Sequence, residues 1–178
     1  CALLFFVAAW TLLDAQLPRH RGEMSAAEFC ENYNGLAHMD GYLRSYISLT
    51  PGGWERTSMN PTRLEVQGYE AEYSFYETGG VLERLELRLE NIPGRTGLIF
   101  STQELELALR SSVWGREGSG VLDFYERHMQ LIDIRQMANY GGSEPEDFRL
   151  ELPSAVVTLE LDGGLGSSLG LLMTIELT

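Results

Sequence analysis

The chain has 178 residues, a formal charge of −13 at pH 7, 44% hydrophobic residues and 22% charged ones, proportions that describe one globular domain able to bury about 70% of its unfolded surface. All thirteen basic side chains are arginine, which excludes chemistry that needs a lysine: P-loop phosphate binding, Schiff-base and pyridoxal catalysis, the kinase ion pair and serine–lysine hydrolysis. Carboxylates outnumber arginines 26 to 13, which argues against nucleic acid as a partner, because neutralising phosphates takes a basic surface.

Residues 1–17 open with Cys1 to Leu13, a run without a charged side chain; the first charge is Asp14, and Arg19-His20-Arg21 follows. As a helix this run is about 20 Å long, short of the roughly 30 Å hydrocarbon core of a bilayer. It reads as the tail of a signal peptide or signal anchor whose basic start lies before Cys1. The same length also suits a buried core helix, and a lipid anchor on Cys1 is the third reading. Arg19 and Arg21, taken alone, would put the following domain on the cytoplasmic side. Residues 18–24 read as a linker, and residues 25–178 as a single globular domain.

Ser25-Ala26-Ala27-Glu28 is a capping box and predicts a helix start, with Ala26, Phe29, Cys30, Tyr33 and Leu36 on one apolar face and an end near Asp40-Gly41. Tyr42 to Leu49 reads as a strand, stopped by the turn signal Thr50-Pro51-Gly52-Gly53. Leu64 to Glu90 carries the clearest alternation and reads as one hairpin. A three-residue loop, Thr78-Gly79-Gly80, would set Tyr73 opposite Leu85, Ala71 opposite Leu87, Tyr69 opposite Leu89 and Glu70 opposite Arg88. The leucines at 82, 85 and 89 also fit a helix, but the aromatic run before them and the Gly-Gly turn favour a strand. Ser101-Thr102-Gln103-Glu104 repeats the capping-box pattern and predicts a helix that buries Leu105, Ala108 and Leu109 and ends before Gly115. A longer amphipathic helix is expected from Val121 to about Asn139. Strands are expected at Phe148 to Leu152, Ala155 to Leu161 and Leu169 to Leu177. Segregated runs of helices and strands predict an α+β fold: an antiparallel sheet of about five to six strands with three helices packed on it, preceded by the apolar N-terminal segment. Two capping-box helices, each followed at a distance by strands, hint at a duplicated unit, but the internal sequence similarity is too faint to count as a repeat.

The motifs that would carry chemistry are weak. Gly166-Ser167-Ser168-Leu169-Gly170 matches the nucleophile-elbow pattern, yet no histidine follows it, and it reads as a loop between strands. Gly163-Gly164-Leu165-Gly166 is not followed by a helix signal, so no dinucleotide fingerprint is read from it. His20, His38 and His128 lack companions at metal-ligand spacing. The carboxylates of Glu144-Pro145-Glu146-Asp147 could attract a hard cation, although charge runs in loops are usually solvated. Cys30, on the apolar face of its helix, reads as a buried small hydrophobe, and no second cysteine lies in the folded part to pair with it. No catalytic residue, no metal site and no cofactor is therefore assigned. The surplus lies in aromatics: Tyr42, Tyr46, Trp54, Tyr69, Tyr73, Phe75 and Tyr76. Tyr69, Tyr73 and Phe75 share a charge-free face and read as core. Trp54 and Tyr76, beside Arg56 or Arg84, form the candidate ligand-binding set, able to stack on a sugar or a peptide if exposed and completing the core if not.

The apolar N-terminus, the helix carrying Glu28-Phe29-Cys30-Glu31-Asn32-Tyr33-Asn34, the Gly-Gly-Trp turn and the tyrosine-rich hairpin together resemble small envelope proteins of Gram-positive bacteria, a likeness that brings no activity with it. The expectation is a bacterial extracytoplasmic domain, membrane-anchored or secreted, that acts as a binding module toward a protein, peptide or glycan and touches the membrane through its N-terminal segment. The rival expectation is a carboxylate-dependent hydrolase, for example on glycans, since an Asp/Glu pair cleaves glycosidic bonds without Lys, Cys or His.

Overall fold

A computed structural model describes residues 24–43, 46–56, 63–66, 68–92, 94–113, 148–152, 154–162 and 169–178. The N-terminal run, the helix expected at 121–139, the serine loop at 163–168 and the acidic loop at 144–147 lie outside them. The described chain is α+β, with two helices, a two-stranded hairpin and a six-stranded antiparallel sheet.

Helix α1, Ala26–Met39, begins as expected: the Ser25 Oγ accepts from the Glu28 amide at 3.2 Å, and the Ser25 amide donates to Glu28 Oε2 at 2.8 Å. A further first-turn donor, the Ala26 amide, reaches Glu77 Oε1 at 2.7 Å, so the helix entry is tied to the sheet as well as capped. The expected strand from Tyr42 is corrected. Strand β1 is only Ile47–Thr50, and it pairs with a strand that the turn signal concealed, β2, Gly53–Arg56. Asn34 on α1 acts as a substitute strand partner for β1, donating to the Leu49 carbonyl and accepting from the Leu49 amide, each at 2.8 Å. His38 Nε2 lies 2.8 Å from the Ile47 carbonyl; a carbonyl only accepts, so Nε2 carries the proton.

The large sheet holds β3 (Arg63–Val66), β4 (Tyr69–Thr78), β5 (Val81–Ile92), β6 (Phe148–Leu152), β7 (Ala155–Asp162) and β8 (Leu169–Leu177) in the order β3-β4-β5-β8-β7-β6. The stretch expected to be one hairpin is thus a three-stranded meander. Its facing is as expected, with Tyr69, Tyr73, Leu85 and Leu87 buried and their neighbours turned outward. Its register is corrected by two residues: Tyr73 faces Leu87, Ala71 faces Leu89, Phe75 faces Leu85, and Arg88 faces Glu72 rather than Glu70. The cause is local. The turn uses two residues, Gly79 and Gly80, at φ 64 and 86, the paired left-handed conformation of a tight hairpin that glycine adopts without penalty. An irregularity beside Tyr76 and Glu77 then adds one residue, Glu83, to β5. That bulge explains the helix-like spacing of leucines: Leu82 and Leu85 are three apart and both buried. A second irregularity between Leu89 and Ile92, where Asn91 has φ 59, does the same for that pair.

Helix α2, Gly94–Val113, packs on β5 and β8 and against α1. It starts seven residues before the expected capping box, and Ser101 and Glu104, the supposed cap and its partner, are fully buried inside it. From Glu104 to Val113 almost every side chain is buried, as expected of a helix enclosed between a sheet and a second helix. Ser111 Oγ donates to the Leu107 carbonyl at 2.6 Å, which satisfies a hydroxyl that would otherwise be stranded in the core. Both helices lie on one face of the sheet. Among the described residues the halves of the sheet are alike in plan, each a three-stranded antiparallel meander, with β5 and β8 meeting as antiparallel neighbours at the centre.

Candidate functional site

Two places concentrate chemistry. The first is inside. Burying tyrosine requires a partner for its hydroxyl, and the alternation of β4 turns Tyr69 and Tyr73 inward while the period of α1 brings Tyr33 toward them. Their acceptor comes from α2: Glu104 Oε1 receives the Tyr73 hydroxyl at 2.5 Å and the Tyr33 hydroxyl at 2.7 Å. Tyr42 and Tyr69 share a hydrogen bond at 2.5 Å. The Tyr42 hydroxyl also bears on the carboxyl, while Glu104 Oε2 is buried without a well-formed hydrogen bond of its own. Trp54 closes the cluster. Its ring is 5.8 Å from that of Tyr73 and 5.9 Å from that of Tyr33, both edge-on, and its indole N–H donates to the Ala71 carbonyl at 2.9 Å.

Burial pushes the Glu104 carboxyl above the ordinary carboxylate range, and the hydroxyls of Tyr42, Tyr73 and Tyr33 oppose that shift. Tyr33 and Tyr73 are pushed up by burial first and by the neighbouring Glu104 second, so the phenols stay neutral and available as donors. Near the end of the same helix, Arg110 is buried yet lies 3.4 Å from Asp40 and 3.6 Å from Glu106. Burial raises the Glu106 carboxyl, and the Arg110 charge counters it. Cys30 is buried as expected, its thiol pushed up to about 12 by burial and by Glu77, which makes it a poor nucleophile at neutral pH.

The second place is the opposite face of the sheet, where the polar residues of each strand line up in rows. One row runs Tyr76, Arg84, Glu176, Val156; the next runs Ser74, Glu86, Thr174, Thr158; a third runs Glu72, Arg88, Leu172, Glu160. Tyr76 is 40% exposed. The Arg84 guanidinium sits 3.8 Å over its ring, and the Tyr76 hydroxyl donates to Glu86 Oε2 at 3.0 Å. Arg84 also pairs with Glu86 at 3.5 Å.

The expected binding set of Trp54, Tyr76, Arg56 and Arg84 is divided by this geometry. Tyr76 and Arg84 form a stacked pair on the open face. Trp54 is 1% exposed, on the helix side of the sheet, and packs with the core aromatics. Arg56 stands on the small hairpin with its guanidinium 5.9 Å from the Tyr46 ring. Glu104 was missed because its capping-box pattern offered a complete local explanation. The signal that could have found it is the number of inward-facing tyrosines, whose hydroxyls need an acceptor that no residue on their own strands supplies. Pro93 before Gly94 was a further sign that the helix begins early.

Among the described residues no group of three or more His, Cys, Asp or Glu is placed to hold a metal ion, and no helix is long and apolar enough to cross a membrane. Fold and site define a two-layer α+β protein whose sheet carries helices on one face and polar rows on the other. Set against protein-family models, curated proteins and solved structures, the chain matches none.

Proposed function

We propose that this is a non-enzymatic binding module that works outside the cytoplasm, delivered or tethered by its apolar N-terminal segment, and that it takes a basic polypeptide on the face of its sheet opposite the two described helices. The observation that carries the reading is the one-sidedness of the sheet: both helices pack on the Tyr73 and Leu87 side, and the other side presents side chains in regular rows. Glu70, Glu72, Glu86, Glu90, Glu160 and Glu176 outnumber Arg84 and Arg88 on its four central strands. That balance favours a cationic ligand over an anionic one. Tyr76, stacked under Arg84 near one end of the rows, supplies an apolar contact of the kind that anchors a peptide.

The test is titration with an oligoarginine peptide, followed by backbone amide shifts. Shifts gathered on β4, β5, β8 and β7 support the reading. Replacing Glu72 and Glu160 with Arg should weaken binding at least tenfold, whereas Glu31→Arg on the exposed side of α1 should leave it within about twofold. Equal weakening by both would reduce the interaction to net charge and overturn the site. Release of sugar from a glycan, lost in Glu104→Gln, would overturn the binding reading in favour of the carboxylate hydrolase.

A further inference from the structure

The cluster around Glu104 is complete in every respect but one. Its Oε1 accepts from both Tyr33 and Tyr73, while Oε2 is buried among apolar and aromatic groups without a partner. Among the described residues, the groups that face the carboxyl are all neutral. They are Tyr33 from α1, Tyr42 from the segment after it, and Tyr69 and Tyr73 from β4; Trp54 from β2 completes the wall. Among the described residues, every buried side chain of β5 and β8 is apolar, from Leu82 to Ile92 and from Leu171 to Ile175. The nearest charges on α2 itself, Glu106 and Arg110, are engaged with each other and with Asp40. Among the described residues Glu104 therefore has no cation to balance an ionised carboxylate, and an unbalanced buried charge is among the most costly features a core can hold. A neutral acid in the same place can keep its proton on Oε2 and still accept two phenol hydrogen bonds at Oε1.

We propose that Glu104 is a proton-operated latch: the core closes around its neutral carboxylic acid, and loss of that proton to solvent loosens α2 from α1 and β4. The latch stands independently of what the open sheet face binds. Its direction follows from linkage. The folded chain holds a proton that the unfolded chain releases at the ordinary glutamate pKa, so folding takes up one proton and stability falls as pH rises from that value through the folded one. Phenol donors favour the ionised form, and removing one makes the proton harder to lose.

The experiment compares the full chain with Glu104→Gln, which keeps the Oε1 acceptor but cannot ionise. Between pH about 5 and about 8 the melting temperature of the parent should fall relative to the variant, with the denaturant-derived stability slope corresponding to about one proton. The parent should show an infrared C=O stretch of a protonated carboxyl that the variant lacks, and exchange protection of the Glu104–Val113 amides, corrected for intrinsic rates, should decline with pH only in the parent. Tyr73→Phe should move the parent's transition to higher pH. This variant and the infrared band on the parent keep the proposal testable if Glu104→Gln does not fold. A stability difference that stays flat across the range, or an ionised carboxylate band from Glu104 in the folded parent at the acidic end of the range, would overturn it.

Discussion

The two meanders share a plan and differ in filling. In β3-β4-β5 and the helix packed on it, an aromatic cluster is added to the leucines of β5: Phe29, Tyr33, Tyr42, Trp54, Tyr69, Tyr73 and Phe75, with ring centroids 5.5 to 6.3 Å apart among those in contact. In β6-β7-β8 the described buried side chains are all non-aromatic: Leu150, Ala155, Val157, Leu159, Leu171, Met173 and Ile175. The consequence is polar. Aliphatic side chains bury without partners, so the second meander needs no hydrogen-bonded insert. Each tyrosine brings a hydroxyl that must be satisfied; one buried carboxyl on α2 accepts from Tyr33 and Tyr73, and Tyr42 and Tyr69 bond each other. The first half thus gains contact area at the expense of holding an ionisable group in its centre.

Four measurements would break or sharpen that comparison. The largest effect should come from Trp54→Ala, which removes the wall of the aromatic cluster and the bond to Ala71; a loss of about 3–5 kcal/mol in denaturant unfolding is expected. Leu87→Ala and Leu159→Ala, one in each half and both essentially inaccessible, should cost about 2–5 kcal/mol each. A near-zero effect for Leu87→Ala would refute the inward facing of β5. Tyr33→Phe and Ile175→Val should both cost about 1 kcal/mol at neutral pH, but only the tyrosine change should alter how stability varies with pH, because only it touches Glu104. The smallest effect should be that of Tyr76→Ala, within roughly 0.5–1 kcal/mol for an exposed cation–π pair. Its interest is in binding, since it should weaken the oligoarginine interaction while barely moving the melting curve. Cys30 serves as a control on the whole fold: with its thiol pushed up to about 12, alkylation by iodoacetamide at neutral pH should be slow, and rapid labelling would mean that α1 does not bury it.

How much of this was legible in the sequence varies by element. The capping box at Ser25 predicted the start of α1 because its partners are three residues apart and need nothing from the rest of the chain. The facing of β4 and β5 was legible because alternation belongs to the strand itself. The register was not, since a two-residue turn and the extra residue at Glu83 shift the pairing while preserving the facing. The same bulge made Leu82, Leu85 and Leu89 resemble a helical stripe.

The two capping-box patterns mark the boundary between what the chain determines locally and what the tertiary structure decides. Ser25 and Ser101 are each followed three residues later by glutamate, and at that range they are indistinguishable. Neighbours separate them: Ala26 finds Glu77 and Ser25 stays at a helix end, while Glu104 meets Tyr33 and Tyr73, 71 and 31 residues away in sequence, and is enclosed. Composition, strand facing, the first helix and the hydrophobic nature of the core followed from the sequence alone, because each depends on short-range geometry or on totals. The place of Glu104, the division of Trp54 from Tyr76 and the cross-strand rows opposite the two described helices came only from the packed chain, because each depends on which distant residues share a volume.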